Sequence, residues 1–415
     1  MASVGDPKRV LIIVQNLPVP FDRRVWLEAT TLCQSGYVVS VICPKAKGFN
    51  RSYENVEGVH IFRYSLPIDA RGRIGYMAEF AWCFIRTLGK SLRVAILGPG
   101  FDVIHACNPP DTYWMLGRLW KVFGKPFVFD HHDLSPEMFE VKFGRRGFLR
   151  SALLFLERMT FQTADVSIAT NESHRQIALR RGRMDPDRVF VVRSGPDLER
   201  LVVYPADDAW RQGAEHVIVY LGEMCEQDGV DYLVRAVELL RRDFQRNDIR
   251  CIFVGGGPHQ DEIKAYAAER GVMDLCTFTG RVSDEVLCRI LSSADIAIDP
   301  DPKTPWSDRS TMNKIMEYMF FGLPIVCFDL TENRFSAQEA ALYAEANDAR
   351  SLARSIVELL ADSERRFRMG RFGQERVREE LAWCYSVPNL LTAYEVALLD
   401  HPRVSKSYTL SPNSG

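Results

Sequence analysis

Two doubly wound α/β domains facing each other across a central cleft are predicted by three observations. Short, wholly apolar runs alternate with stretches of helical periodicity along almost the whole chain, as in parallel sheets covered on both faces. The opening run RVLIIV at 9–14 has a counterpart, HVIVYL at 216–221, from which the alternation starts afresh. Between the halves, SGPD, Pro205 and a polar run read as a linker. The boundaries are 1–193 for the N-terminal domain, 194–214 for the linker and 215–384 for the C-terminal domain, then 385–400 for a last helix free to pack back on the first domain, and 401–415 for a disordered tail rich in Ser and Pro.

In the first half, Asp22 is placed to cap a helix running to about residue 34, and a strand at 38–43 completes a βαβ unit. Further strands are expected at 60–64, 102–106, 127–130, 166–170 and 189–192, with helices at 76–97, 112–123 and 148–162. In the second half, strands at 216–221, 250–254, 276–279 and 296–299 alternate with helices at 229–242 and 284–292. Amphipathic helices at 352–360, 365–381 and 386–399 close the chain.

The stretch DPDPKTPWSDRSTMNKIMEYMFFGLPIVCFD at 299–329 reads as a strand end, a polar loop, a helix over 311–321 and another buried strand. Ser310 is the expected N-cap, and Gly322 and Pro324 end the helix. Met312, Ile315, Met316, Met319 and Phe320 recur at helical spacing and form the packing face, which leaves Asn313, Lys314 and Glu317 near the amide-rich end. A helix that starts just beyond a parallel strand offers free N–H groups and a positive dipole end to an anion, and Lys314 adds a full charge. A phosphate suits that position. Glu317, four residues after Asn313, is placed to grip vicinal hydroxyls such as those of a ribose.

Composition narrows the class. At 415 residues the chain exceeds one typical core of about 150 residues. Its 52 Lys and Arg against 54 Asp and Glu give a net charge of -2, so no global field recruits nucleic acid. The ten cysteines include no CxxC pair and read as free thiols of a reducing compartment, with no zinc site or disulfide framework. Residues 10–14 are too short for a secretory core, and no stretch approaches the ~20 apolar residues of a membrane span, so a cytoplasmic protein is expected. GGGP at 255–258 does not fit the GxGxxG spacing and no P-loop is present, which argues against a nicotinamide dehydrogenase. Asp299 and Asp301 spell DxD, read here as loop chemistry and not as a metal motif.

Eight motifs occur in a telling order: FDRRVWLEATTL (21–32), DVIHACNPPD (102–111), FDHHDLSPE (129–137), SGPDLER (194–200), YLGEMCEQDGVDYLVRA (220–236), FVGGGP (253–258), FTGRV (278–282) and STMNKIMEYMFFGLPIV (310–326). Over residues 9–399 the chain thereby resembles the retaining glycosyltransferases of family 4, of the bacterial polysaccharide type, with the GT-B fold of two Rossmann-like domains. The resemblance implies a hexosyl-type transfer from a nucleotide-diphosphate sugar, UDP-linked in preference to GDP-linked, to a glycan or lipid-carrier acceptor. It implies catalytic roles for His132, Lys314 and Glu317, and a donor site containing Arg281, Asp308, Arg309, Ser310, Thr311, Met312 and Asn313. Arg23, Arg24, Asp133 and Glu137 are expected on the acceptor side, while His131 and His105 read as structural. No metal or cofactor is expected, and Mg²⁺ is not expected to be required.

Three positions depart from the family pattern. Arg309 stands where members usually carry a Glu, and Glu223 and Asp228 stand where many carry Arg and Lys. Two other readings therefore remain open: a non-catalytic binding partner of the same fold, and a sugar-nucleotide epimerase. A final expectation concerns residues 141–161, where Lys142, Arg145, Arg146, Arg150 and Arg158 accompany Phe and Leu and suggest peripheral contact with an anionic membrane, widened by Arg86, Lys90 and Arg93. The competing reading turns Phe148, Ala152, Phe155 and Met159 to the core and leaves the arginines merely solvated.

Overall fold

The apolar runs become the inner strands of two sheets. The computed structural model describes residues 6–66, 72–144 and 147–399, so the expected tail at 401–415 and Arg145 and Arg146 lie outside the described residues. The first half contains β1 (Arg9–Ile13), α1 (Arg23–Gln34), β2 (Val38–Pro44), β3 (Tyr53–Val56), β4 (Val59–Tyr64), α2 (Gly72–Leu97), β5 (Val103–Cys107), α3 (Trp114–Lys121), β6 (Phe127–His131), α4 (Ser135–Phe143), α5 (Phe148–Thr163), β7 (Val166–Ala169), α6 (Glu172–Arg180) and β8 (Val189–Val191). Its sheet has the order β3-β4-β2-β1-β5-β6-β7-β8, and only the edge pair of β3 and β4 is antiparallel.

The second half contains β9 (His216–Leu221), α7 (Val230–Arg242), β10 (Ile249–Val254), α8 (Gln260–Glu269), β11 (Cys276–Gly280), α9 (Asp284–Ser293), β12 (Ile296–Asp299), α10 (Asn313–Phe320), β13 (Ile325–Phe328), α11 (Thr331–Ala337), β14 (Ala341–Ala344), α12 (Ala349–Ala361) and α13 (Ser363–Arg376), followed by α14 (Val387–Leu399). Its parallel sheet runs β11-β10-β9-β12-β13-β14.

Side-chain alternation splits each central strand between two cores. Val10 and Ile12 of β1 pack with α1 and α14, whereas Leu11 and Ile13 pack with α2, α3 and α5. In the second sheet, Ile218 and Tyr220 of β9 face α7 and α12, and Val217 and Val219 face α9 and α10. β1 lies between β2 and β5, and β9 between β10 and β12, so the loops after these inner strands gather at one end of each sheet.

The chain passes between the halves twice, and the two passages touch. Trp383 N donates to Pro196 O at 3.1 Å and Ser386 Oγ to Arg193 O at 2.8 Å. Gly195 is required there, because a Cβ would lie 2.8 Å from the carbonyl carbon of Ala382. α14 then packs on β6, β7 and β8 of the first sheet, with the Tyr394 hydroxyl 2.6 Å from His105 Nδ1.

One expected cap is displaced. Asp22 caps α1 through Val25 N, as the sequence suggests, but α10 starts at Asn313 behind Met312 and not behind Ser310. The Ser310 hydroxyl donates instead to Trp306 O at 2.8 Å, within a tight turn over residues 304–310. The first turn of α10 consequently has no side-chain cap.

Candidate active site

The second sheet supplies a lysine held in a buried charge cluster. β12 ends at Asp299, and Asp299 and Asp301 are both buried. Lys314, in the first turn of α10, places Nζ 2.9 Å from Asp299 Oδ1, contacts Asp301 Oδ2 and lies 5.0 Å from the centre of the Tyr220 ring. The DxD pair is therefore not loop chemistry: it is the counter-charge of Lys314. Burial disfavours the ammonium, but the two carboxylates outweigh it and raise the lysine well above its ordinary value. Burial and the charge of Asp299 push Asp301 well up, whereas at Asp299 Lys314 and the 2.8 Å bond from Asn333 Nδ2 overcome burial and hold the carboxylate ionised.

Glu317 meets two arginines. Arg23 Nη1, from α1 of the first half, lies 3.2 Å from its Oε1, and Arg200 Nη2 lies 3.1 Å away. Both guanidinium groups also reach Asp284, at 2.8 and 2.9 Å, so a four-residue ion cluster crosses the cleft. Arg281 pairs with Glu223 at 2.7 Å and covers the Phe21 ring at 5.2 Å, again from one half to the other.

The remaining donor candidates are distributed unevenly. Asn313 is exposed in the first turn of α10, whereas Met312 is buried in the core. Asp308 turns away to accept from Thr331 N and Oγ1 at 2.9 and 3.1 Å, which fixes the start of α11. Thr311 Oγ1 is contacted by Asn171 Nδ2 and Arg193 Nη1, each at 3.0 Å, and Asn171 Nδ2 also donates to Arg309 O at 2.8 Å. The Arg309 side chain points to Glu137, 3.5 Å away. Thr311 and Arg309 thus join the seam between the halves, whereas Ser310 stays within its own turn.

On the first half, His132 stands just past β6 with Nδ1 3.0 Å from Asp130 Oδ2. Its turn is fixed by Asn108 Oδ1, which accepts from the amides of His132 and Asp133 at 2.9 and 3.0 Å. Asp130 is gripped by Arg24 at 2.7 and 3.0 Å, and Arg24 also reaches Glu28, Val192 O and Ser194 Oγ. The expected acceptor role of Arg24 is corrected accordingly: its side chain is 9% exposed and lies beneath the cleft, where it anchors Asp130. Burial opposes the charged form of His132, but the charge and hydrogen bond of Asp130 raise it above the ordinary value. Burial and the charge of Asp130 push Glu28 up to about 7.

Of the adjacent histidines, His131 packs among Phe129, Phe161 and His174, and burial holds it neutral. Asp133 Oδ1 accepts from Trp306 Nε1 at 2.9 Å, and Glu137 accepts from Arg181 at 2.6 and 3.2 Å. These two acceptor candidates therefore tie the 306–309 loop to the first half.

Among the described residues, the ligand atoms of Glu28, His105, Cys107 and Asp130 gather within 4.8 Å of one another. Arg24 already neutralises the two carboxylates, so the group reads as a charge network under His132. Glu223 and Asp228 form no such group: the first pairs with Arg281, and the second accepts from Cys225 N at 2.9 Å.

Asp130, Asn171, Arg193, Arg200 and Trp306 were not anticipated. Asp130 left a local trace, an acid closing the apolar run FVFD two residues before His132, and Arg200 closes the SGPDLER motif. Asp130→Asn is expected to lower the pKa of His132 and shift the acid limb of kcat/KM to lower pH, since the pairing that favours imidazolium is lost. A pH–rate profile of the folded variant checks this, and an unmoved limb would detach Asp130 from the chemistry.

Two mainly parallel sheets joined across a cleft, with Lys314 and Glu317 on α10 at its edge, have the architecture of the GT-B glycosyltransferases. The profile of "Glycosyltransferase Family 4" matches residues 22–200 and that of "Glycosyl transferases group 1" matches 215–362. The chain belongs to glycosyltransferase family 4. It is 22% identical over 390 residues to an uncharacterized glycosyltransferase of Methanocaldococcus jannaschii, covering 89% of this chain and 92% of that protein. Sucrose-phosphate synthase from Thermosynechococcus elongatus superposes with a TM-score of 0.75 at 20% identity, over 94% of this chain and 98% of the other. HepE of Anabaena, in complex with UDP-glucose, superposes with a TM-score of 0.70 at 15% identity, over 93% and 99%.

Proposed function

We propose that the protein transfers a sugar, with retention, from a nucleoside-diphosphate donor to a glycan or lipid-linked acceptor of cell-surface polysaccharide assembly, working at the cytoplasmic face of the plasma membrane. The observation that carries this reading is Lys314 at the uncapped start of α10, with Glu317 one turn further along and His132 on the opposite half. Arg23 reaches Glu317, and Asp133, next to His132, reaches Trp306, so both halves close on the same space. A UDP-sugar is the favoured donor, in keeping with the UDP-glucose held by HepE.

Departure of the nucleoside diphosphate builds negative charge on its terminal phosphate. The amides of α10 and Lys314 would stabilise that charge more in the transition state than in the ground state. Glu317 would exchange its arginine partners for ribose hydroxyls. With Nδ1–H donating to Asp130, His132 keeps Nε2 for a hydrogen bond to the donor sugar or the acceptor.

A panel of nucleotide sugars tests the proposal. The purified protein should release nucleoside diphosphate from its donor, slowly even without acceptor, and EDTA should leave the rate unchanged because the charge is met by Lys314 and helix amides. No release across the panel would favour a non-catalytic binder, and interconversion of the donor alone would favour an epimerase. Activity abolished by EDTA and restored by Mg²⁺ would transfer the role to Glu223 and Asp228.

A further inference from the structure

We propose that the outer surface of α2, α3 and α5 is a docking face for an anionic lipid bilayer. The three helices lie side by side on one face of the first sheet. Trp120 Nε1 donates to Ser91 Oγ at 3.2 Å, joining α3 to α2, and Arg118 Nε donates to Thr163 Oγ1 at 3.2 Å, joining α3 to α5. Their inner stripes are spent on the core, through Cys83 and Val94, Leu116 and Trp120, and Phe161. A surface helix then normally presents polar residues outward. Here the outward positions are apolar as well: Ile85, Ile96, Leu97, Val122, Phe123 and Phe148 are 62 to 86% exposed.

Phe148 and Phe155 both face solvent, so the sequence reading that turned them to the core does not hold. Arg150, expected in the basic patch, is instead paired with Glu140. Exposed basic residues nonetheless run through the apolar face, with Arg86 and Arg93 on α2 and Arg158 on α5. The guanidinium of Arg86 sits 5.5 Å over the Trp82 ring. Glu157, the carboxylate of α5, is turned inward to Arg181, α3 carries no acid, and α2 carries only Glu79, half-buried, against Arg86, Lys90 and Arg93.

Charge decides the occupant. A two-fold contact between copies of this chain would set one basic patch against the same basic patch of the other copy, which is repulsive. Apolar bulk with interspersed arginines matches an anionic leaflet, where each basic residue near the surface raises partitioning by about fivefold. The face also adjoins the cleft, since α5 packs on α4 and α4 starts directly after the turn that holds His132. The inference rests on the proposed transfer only for its purpose, which is to bring a lipid-linked acceptor to that rim.

The test is sedimentation of the full chain with vesicles of phosphatidylglycerol mixed with phosphatidylcholine, and with phosphatidylcholine alone, at low and high salt. Wild type should partition to the anionic vesicles, less so at high salt. Arg86→Glu with Arg93→Glu should lower that partitioning by at least tenfold, and Val122→Ser with Phe123→Ser should lower it at both salt concentrations. Circular dichroism and release of nucleoside diphosphate from a soluble donor are followed on the same preparations. Equal partitioning of wild type and variants, binding to neither vesicle, or a dimer lost in the variants would overturn the proposal. Retained donor turnover alongside absent vesicle binding sinks the docking face alone, whereas vesicle binding without any turnover sinks the transfer reading.

Discussion

Lys314→Ala is expected to reduce turnover by roughly 10²–10³-fold, the loss of about 2.7–4 kcal/mol typical of removing one donor from a developing anion, with a much smaller effect on nucleotide affinity. The asymmetry follows from the resting state of the lysine. Asp299 and Asp301 hold it before any ligand arrives, so a ground-state phosphate must compete for it, whereas a departing diphosphate carries more charge and competes better. Removing the cation also strands two buried carboxylates, which typically costs about 3–5 kcal/mol. The double variant Lys314→Ala with Asp301→Asn is expected to regain part of the melting temperature and none of the turnover. Single-turnover rates and nucleotide titrations measure both quantities. Equal losses in rate and affinity would show that the lysine only binds.

Glu317→Ala is expected to lower kcat/KM for the donor by about 10–100-fold, as hydrogen bonds to a charged group contribute about 1.5–3 kcal/mol. The fold should survive, because Arg23 and Arg200 each keep Asp284 as a partner when Glu317 is removed. Donor kinetics together with calorimetric titration of the nucleoside diphosphate decide the matter. Unchanged kinetics in a folded variant would leave Glu317 as a mere link in the ion cluster.

The legible part of the fold was the buried part. Beyond their first residues, Arg9 and His216, RVLIIV and HVIVYL are apolar and largely buried because β1 and β9 are inner strands, and their helices show a clear inward stripe. α6 and α8 escaped notice because they bury so little: His174 and Ala178 in the first, Ala267 in the second. β3 is a half-exposed edge strand with no apolar run to betray it. At the site, Lys314 and Glu317 could be read because a helix start after a strand is a local signal. The partners of Glu317 could not, since Arg23 lies 294 positions away and Arg200 lies 117. Arg24 was misplaced for a related reason: Asp130, which buries it beneath the cleft, lies 106 positions away.

The crossing of α14 onto the first sheet sets the order in which the protein can be completed during synthesis. Leu390, Ala393, Tyr394 and Ala397 belong to the same core as Val10, Ile12 and Val128, yet they are made only after the whole second sheet. All of the second sheet must be polymerised between β8 and α14, a delay of about 10–40 s at the usual 5–20 residues per second. Throughout that interval the nascent first half exposes an apolar groove over β6 to β8, with His105 still lacking its Tyr394 partner. A ribosome that stalls or terminates before Val387 therefore releases a chain whose second half holds a complete core and whose first half does not, and the uncovered groove is the surface on which a holdase chaperone would act.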